Sequence, residues 1–142
     1  MSAVVAYLLL IAWRRMIDAL FNQPSFQTAR AMMDVTALRH EAIASNLANL
    51  STPNYKRLDV SPAFESQLKQ AIASGNTEQL QALRPSLEAD PTAGSTNRDG
   101  NSVVLEDELL AMNQNTLAHQ LETQMLTGSL LKLRLAITGR PG

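Results

Sequence analysis

Two histidines are the residues of this chain best suited to metal or acid-base chemistry, and neither has the partners that such chemistry needs. His40 is followed by a glutamate, but position 44 is Ala44 and not the second histidine of a zinc-binding helix. Neither His40 nor His119 has a glutamate three residues before it, as the helices of a di-iron bundle require. The histidines therefore predict no catalytic or metal site.

A second candidate is the stretch STNRDGNSVVLE, residues 95–106, which has the spacing of a calcium-binding loop. Serine replaces the first carboxylate, and no helix is predicted before it. The pattern favours an Asp-Gly turn that leads into a helix. Elsewhere no glycine-rich loop or activated nucleophile occurs, so we predict no enzyme, no cofactor and no small-molecule substrate. The calcium-like positions are Ser95, Asn97, Asp99, Gly100 and Glu106.

The composition of the 142-residue chain indicates a helical protein. Lys and Arg number 12 against 13 Asp and Glu, so the basic excess that nucleic-acid binding needs is missing. There is no cysteine, which excludes disulfides and thiolate chemistry. Only 4% of residues are aromatic, while alanine, leucine and glutamine are abundant, a composition that suits long helices.

Apolar residues recur at alternating spacings of three and four in two segments, which predicts two long helices that meet along a seam. The first helix belongs to residues 16–52 and the second to residues 103–142. We interpret the seam histidines as polar positions that set the register of the helices, or as a pH-responsive interface. The predicted intramolecular seam consists of Met33, His40, Ile43, Leu47 and Leu50 in the first helix and Leu109, Met112, His119, Leu126, Leu130 and Leu133 in the second.

Start and stop residues complete this fold prediction. Pro24 marks a start for the first helix and Gly139 an end for the second. Between them, residues 53–102 form a loop-rich segment with one or two short helices, the first beginning at Pro62 and ending at Gly75. We therefore predict an all-α fold in which the terminal helices form an antiparallel coiled-coil-like hairpin around a partly irregular middle segment.

A second apolar face runs along the last helix, opposite the seam. A helix that is apolar on two faces needs more than one partner, and the chain offers only one other long helix. We therefore predict that this face contacts another subunit. The predicted intersubunit face, called the leucine stripe below, consists of Leu110, Leu117, Leu121, Gly128, Leu131 and Leu135.

The first fifteen residues, MSAVVAYLLLIAWRR, contain an apolar run too short to span a bilayer, which takes about 20 residues. The arginines follow the run, unlike those of a signal peptide. Three interpretations remain: an interfacial membrane anchor, a buried helix, or an over-extended start with the protein beginning at Met16. The first would make the protein a membrane-associated helical adaptor, our alternative to a structural role.

The end of the first helix, NLANLSTPNYKR or residues 46–57, has an unusual composition, and we call it the elbow. Pro53 biases Thr52 away from helical geometry, and Asn54 tolerates a left-handed turn. Two interpretations of Asn46 and Asn49 stay open. Their amides either cap the end of the helix or bind the backbone of a neighbouring subunit.

The elbow resembles the N-terminal signature of the bacterial flagellar axial family, the rod and hook proteins. In that family an Asn-x-x-Asn helix end runs into Thr-Pro, a small or turn residue, an aromatic residue and a lysine. This chain has asparagine where glycine is common. The segment DGNSVVLEDELL, residues 99–110, adds to the resemblance. The matching signature residues are Asn46, Asn49, Thr52, Pro53, Asn54, Tyr55 and Lys56.

The resemblance implies a structural subunit of the proximal basal-body rod that assembles by lateral packing of its terminal helices, transmits torque and lines the export channel. It implies export by the flagellar type III apparatus without a cleaved signal peptide, and a periplasmic location in the rod. The implied partners are other rod subunits, the membrane-ring and rod-base adaptor proteins, and the export apparatus. Nucleic acid is not among them.

Overall fold

The computed structural model describes residue 7 and residues 23–94 and 98–139, so most of the apolar N-terminal segment 1–15 lies outside the described residues. The protein is mostly helical, as predicted. The elements in chain order are α1 (Pro24–Ala48), β1 (Leu58–Val60), α2 (Pro62–Ser74), α3 (Thr77–Ala82), β2 (Leu87–Ala89) and α4 (Leu105–Thr138).

The helix ends follow the residues that predicted them. Pro24 and Pro62 occupy the first positions of α1 and α2, where a missing backbone N–H costs no helical hydrogen bond. Gly75 and Gly139 end α2 and α4 with a left-handed φ of 64° each, a conformation that favours glycine. These boundaries are confirmed. The 34 residues of α4 extend about 51 Å.

The middle segment contains an unpredicted sheet, so the all-α prediction is wrong in this part of the chain. β1 and β2 pair antiparallel, with Leu58 opposite Ala89 and Val60 opposite Leu87. β2 lies within residues 53–102, which the sequence predicted to be loop-rich with one or two short helices. Each strand has only three residues, too few to show the alternation of polar and apolar side chains by which strands are identified.

A small apolar core joins the middle segment to α1. Val35 of α1 is buried against Phe64 and Leu68 of α2 and against Leu80 of α3. Val60 of β1 belongs to the same cluster. The core therefore fixes α2, α3 and the sheet on α1, while α4 packs on α1 elsewhere.

Polar contacts join α1 to α4. At the end of α1, the Nδ2 of Asn46 donates to Glu108 near the start of α4 over 3.2 Å. At the middle of α1, the hydroxyl of Thr36 donates to Oε2 of Glu122 over 2.8 Å. The two long helices are therefore tied at two points along their length, and both points include a buried carboxylate.

Candidate functional site: the elbow and the leucine stripe

Asn46 is fully buried and makes four hydrogen bonds within its own chain. Its Oδ1 accepts from the backbone N–H of Leu58 (2.8 Å) and from the hydroxyl of Tyr55 (3.3 Å). Its Nδ2 donates to the carbonyl of Leu58 (2.9 Å) and to Glu108 (3.2 Å). An amide has two donors and two acceptor sites, so all are used. Asn46 thus pairs with the backbone of Leu58 as a neighbouring strand would, and both interpretations offered for it from the sequence are wrong.

Asn49 has the capping role that the sequence left open. Its Nδ2 donates to the carbonyl of Ser45 over 2.8 Å, and its Oδ1 accepts from the hydroxyl of Thr52 over 3.0 Å. The last carbonyls of a helix lack partners within the helix, and side chains commonly supply them. Asn49 therefore stabilises the end of α1 from within the elbow.

Asn101 completes this helix end from far along the chain. It is fully buried, and its Nδ2 lies within hydrogen-bonding distance of three carbonyls, those of Asn49 (2.9 Å), Leu50 (3.1 Å) and Thr52 (2.9 Å). Its Oδ1 accepts from the backbone N–H of Val103 over 2.8 Å. One amide therefore holds the turn that follows α1 and orients the chain that enters α4.

The turn of the elbow fits closely against residues 99–102. Asn54 adopts a φ of 59°, as predicted for a left-handed turn, and its N–H donates to the carbonyl of Asp99 over 2.9 Å. Gly100 has a φ of 79°, and a Cβ there would lie 2.5 Å from Oδ1 of Asn54. Lys56 donates through Nζ to the carbonyl of Gly100 over 3.2 Å. The left-handed backbone therefore favours glycine at position 100, and a larger residue there would also have to displace the side chain of Asn54.

Arg57 links the elbow to three carboxylates. Its Nε donates to Oε1 of the fully buried Glu108 over 2.7 Å. One terminal nitrogen donates to Asp59 over 3.0 Å and to Asp90 over 2.7 Å. Arg39 of α1 donates to Asp59 over 3.1 Å. The guanidinium group therefore joins the elbow, β1, the residue after β2 and the first turn of α4.

These contacts change the acidity of the groups involved. Burial alone would raise the pKa of Asp59, but the N–H of Val60 and the guanidinium groups of Arg57 and Arg39 outweigh it and lower that pKa. Burial also acts to raise the pKa of Asp90, and the hydroxyl and N–H of Thr92 together with Arg57 lower it. Both aspartates are therefore held as carboxylates.

The depressed pKa values predict loss of stability in acid. A carboxyl with a folded pKa below its unfolded value of about 3.9 stabilises the protein at pH values above 3.9, and this contribution is lost as the pH falls through the folded pKa. We expect the free energy of unfolding, measured by urea titration, to decline between about pH 5 and pH 2. The decline should be shallower in Asp90→Asn. An equal decline in the parent and the variant would contradict the role of Asp90.

The buried face of α4 is polar and lies one residue away from the predicted seam. Glu108, Asn115 and Glu122, spaced seven apart, are buried, while Leu109 and Leu130 are exposed. Nδ2 of Asn115 donates to the carbonyl of Thr36 over 2.8 Å. A shift of one residue rotates a helix by about 100°. The seam prediction for Leu109 and Leu130 is therefore wrong, because polar side chains occupy the contact that the leucines were expected to make.

The other predicted seam residues differ in burial, both on α1 and on α4. On α1, Ile43 is buried and His40 is exposed, so only His40 is wrongly placed there. On α4, His119 is mostly exposed, but its Nδ1 lies 3.2 Å from the hydroxyl oxygen of Thr36. The pH-responsive alternative stays a prediction. The remaining seam residues, all half-buried, are Met33 and Leu47 on α1, Leu50 just after it, and Met112, Leu126 and Leu133 on α4.

The leucine stripe lies at the surface of α4. Its five leucines are between 46% and 59% exposed, and Gly128 is half-buried with open space beside its Cα. Exposed apolar side chains extend beyond the stripe to Met125 and Ile137. A contiguous apolar surface of this kind is typical of an interaction site. The exposed leucines are Leu110, Leu117, Leu121, Leu131 and Leu135.

No calcium site is assembled in the part of the loop that the structure describes. Ser95 and Asn97 lie outside the described residues, and the carboxylate of Asp99 accepts from the backbone N–H of Asn101 over 3.1 Å. This bond closes the Asp-Gly turn that the sequence predicted. Among the described residues, no group of three or more His, Cys, Asp or Glu side chains could hold a metal ion.

Sequence reasoning missed three residues that carry the elbow: Arg57, Asn101 and Glu108. Arg57 and Glu108 are 51 positions apart, and no spacing rule connects them. Charged residues such as Glu108 are rarely fully buried unless paired, so the burial of Glu108 points to a partner. That burial is known only from the structure.

Comparisons with known proteins bear on the same stretch. A family model described as "Flagella basal body rod protein" matches residues 27–56, which include most of α1 and nearly all of the elbow. The helix, its Asn-x-x-Asn end and the turn that follows thus define a flagellar rod protein, and the resemblance found in the sequence is confirmed.

Relatives that match over most of their length identify the family within this class of rod proteins. The flagellar basal body rod protein FlgB of Borrelia hermsii is 30% identical over 118 residues, covering 71% of this chain and 86% of the relative. FlgB of Escherichia coli K12 is 29% identical over 136 residues, covering 81% and 92%. FlgB of Aquifex aeolicus is 30% identical over 117 residues, covering 76% and 88%. The chain belongs to the FlgB family of flagellar basal body rod proteins.

Membership in this family makes the chain a structural rod protein and not an enzyme. The membrane-adaptor alternative finds no support in these relatives. In the described part of the chain, no helix is both long and apolar enough to cross a membrane.

Proposed function

We propose that this subunit assembles into the proximal rod by lateral packing of its terminal helices, with the leucine stripe of α4 as the contact surface between subunits. One observation carries the proposal: α4 buries Glu108, Asn115 and Glu122 against its own chain and exposes the five leucines of the stripe. Burial of apolar area is the dominant favourable term in most protein association. A helix with this distribution of side chains gains most from its apolar surface when a second subunit covers it.

The proposal includes an antiparallel hairpin of α1 and α4 as the unit that assembles. Two contacts support it. Asn46 meets Glu108, and Thr36 meets Glu122, so residue numbers fall along α1 as they rise along α4. Polar residues buried in a helix seam fix register, because any slip leaves them unpaired. The buried polar residues of α4 would thus fix the position of the leucine stripe along the axis of α1.

We assign the elbow the task of holding the middle segment rigidly on this hairpin. Asn46 holds the backbone of β1, and Arg57 connects β1, the residue after β2 and α4. Torque passed along a rod loads the joint between its inner helices and its outer parts. A joint made of buried ion pairs and saturated amides resists that load better than a flexible linker.

Partners and route follow from the family. We propose contacts with other rod subunits and with the membrane-ring and rod-base adaptor proteins, and export through the flagellar type III apparatus to the periplasm without a cleaved signal peptide. The absence of cysteine in the sequence is compatible with an oxidising compartment.

Charge placed on the leucine stripe tests the proposal. In a strain lacking its own FlgB, we expect Leu121→Glu or Leu131→Glu to reduce swimming and the yield of complete rods at least tenfold, because each variant puts a carboxylate in a contact that excludes water. Both side chains are more than half exposed, so the helical content measured by circular dichroism should not change.

Thr123→Glu is the matched control, because it adds the same carboxylate at an exposed position of α4 that has no stripe residue three, four or seven positions away. It should support normal swimming. Normal rods with both leucine variants would show that the stripe is not an interface and would overturn the proposal.

A further inference from the structure

A cavity of about 580 Å³ opens between α1, α2 and α3, at the end of α1 away from the elbow. Phe64, Leu80 and Leu83 provide an apolar wall, and Ala31 of α1 completes it. Cavities of this size accept ligands or several side chains of a partner. The small core around Phe64 and Leu80 holds the elements that form the wall, so the cavity belongs to the folded unit.

The rim of this cavity is positively charged. Arg30 and Arg84 lie on it, with Asp34 as a single counter-charge. Arg84 is held in place by its own NH1, which donates to the carbonyls of two neighbouring residues at 2.6 and 2.8 Å. In the described part of the chain neither arginine forms a salt bridge. The cavity therefore fits an apolar group that carries negative charge beside it.

The first turns of α4 have exposed apolar side chains next to negatively charged ones. Leu105, Leu109 and Leu110 are 43%, 42% and 57% exposed, and Glu106 and Asp107 between them are exposed as well. Neither acid forms a salt bridge within the described residues. A helix end of this kind offers leucines to an apolar wall and carboxylates to an arginine rim.

A single chain cannot bring the two surfaces together. The first turns of α4 lie beside Asn46, whereas the cavity is lined by residues around Arg30. The 16 residues between Arg30 and Asn46 correspond to about 24 Å along α1. Two complementary surfaces at opposite ends of one subunit form a head-to-tail contact, which generates a ring if the rotation between copies closes and a filament if it does not.

We propose that the cavity of one subunit receives the acidic, leucine-rich first turns of α4 from a second copy of this chain. The contact shares only Leu110 with the leucine stripe and adds a head-to-tail joint to lateral packing. It rests on the proposed function, because it requires that copies of the chain assemble with one another.

A charge swap tests the contact in the purified full chain. Sedimentation velocity over a range of concentrations should show self-association of the parent protein. Arg30→Glu/Arg84→Glu should weaken it at least tenfold, and so should Glu106→Arg/Asp107→Arg. A 1:1 mixture of the two variants should recover association, because the unchanged α4 of one fits the unchanged cavity of the other and the two altered surfaces carry opposite charges. The chain with all four changes should recover association.

Lys69→Glu/Arg98→Glu carries the same change in charge at exposed positions outside the cavity, and it should associate as the parent does. Circular dichroism confirms that each variant is folded. A monomeric parent, a control as weak as the cavity variant, or no recovery in the swap would each overturn the proposal. Loss of rods with the cavity variant but not with the α4 variant would mean that the cavity binds a different acidic protein, and would also overturn it.

The two proposals fail separately. If rods are lost with Leu121→Glu while the charge swap has no effect, lateral packing stands and the head-to-tail contact does not. If the leucine variants assemble normally, the proposed lateral interface fails whatever the charge swap shows.

Discussion

Replacing Glu108 with alanine is expected to lower the free energy of unfolding by about 3 to 5 kcal/mol, because removing one partner of a buried ion pair leaves the other charge uncompensated. Glu108 is fully buried, and it accepts from Nε of Arg57 and Nδ2 of Asn46. The measurement is the urea midpoint and slope at pH 7.

Glu106→Ala is the control, since Glu106 lies in the same helical turn and is exposed. We expect it to cost less than about 0.5 kcal/mol, as surface substitutions usually do. Equal losses in the two variants would show that negative charge near the start of the helix matters, and not the buried pair with Arg57. That result would remove Glu108 from the elbow network.

Asn46→Ala is expected to cost about 2 to 3 kcal/mol, because it leaves several buried polar groups without partners. Those groups are the backbone N–H and carbonyl of Leu58 and one oxygen of Glu108. Hydrogen exchange gives a local measurement. The amide of Leu58 should exchange faster in the variant than the amides in the middle of α4.

Asn49→Ala provides a matched control, with the same change of side chain three residues along the same helix. Asn49 is only partly buried, and its hydroxyl partner, Thr52, is exposed, so water can replace that bond. We expect a loss below about 1 kcal/mol and no change at Leu58. If Asn49→Ala lowered the free energy of unfolding more than Asn46→Ala, Asn46 would not be the asparagine that contributes more to the stability of the elbow.

Local features of the fold could be predicted from the sequence, because each depends on neighbouring residues. Pro24, Gly75 and Gly139 mark helix ends through the conformations that their own backbones allow. Asn54 adopts its left-handed φ for the same kind of reason. The β1–β2 pairing depends on segments about 30 residues apart, and three-residue strands give no periodic signal.

The register of α4 could not be predicted from its apolar pattern. Periodicity assigns leucines to the inside of a fold, and here Leu109 and Leu130 are exposed while Glu108 and Glu122 are buried. The apolar pattern combines residues that pack on α1 with residues of the proposed contact between subunits. The pattern alone does not say which face of α4 makes which contact. Only the partners of Glu108 and Glu122 in the structure separate them.

The hydrogen bonds of Asn101 to the end of α1 have a consequence for the order in which the protein acquires structure. They span 49 to 52 positions of sequence, and the Asn46–Glu108 bond spans 62. Contacts this distant form only after a large loop has closed, at a cost in chain entropy. A chain that emerges from a channel N-terminus first would form α1 early, but the turn after α1 would lack its contacts with Asn101 until residue 101 follows. The elbow would then form its long-range contacts only when export is nearly complete. A partly exported subunit would stay flexible at the elbow, and a fully exported one would become rigid there.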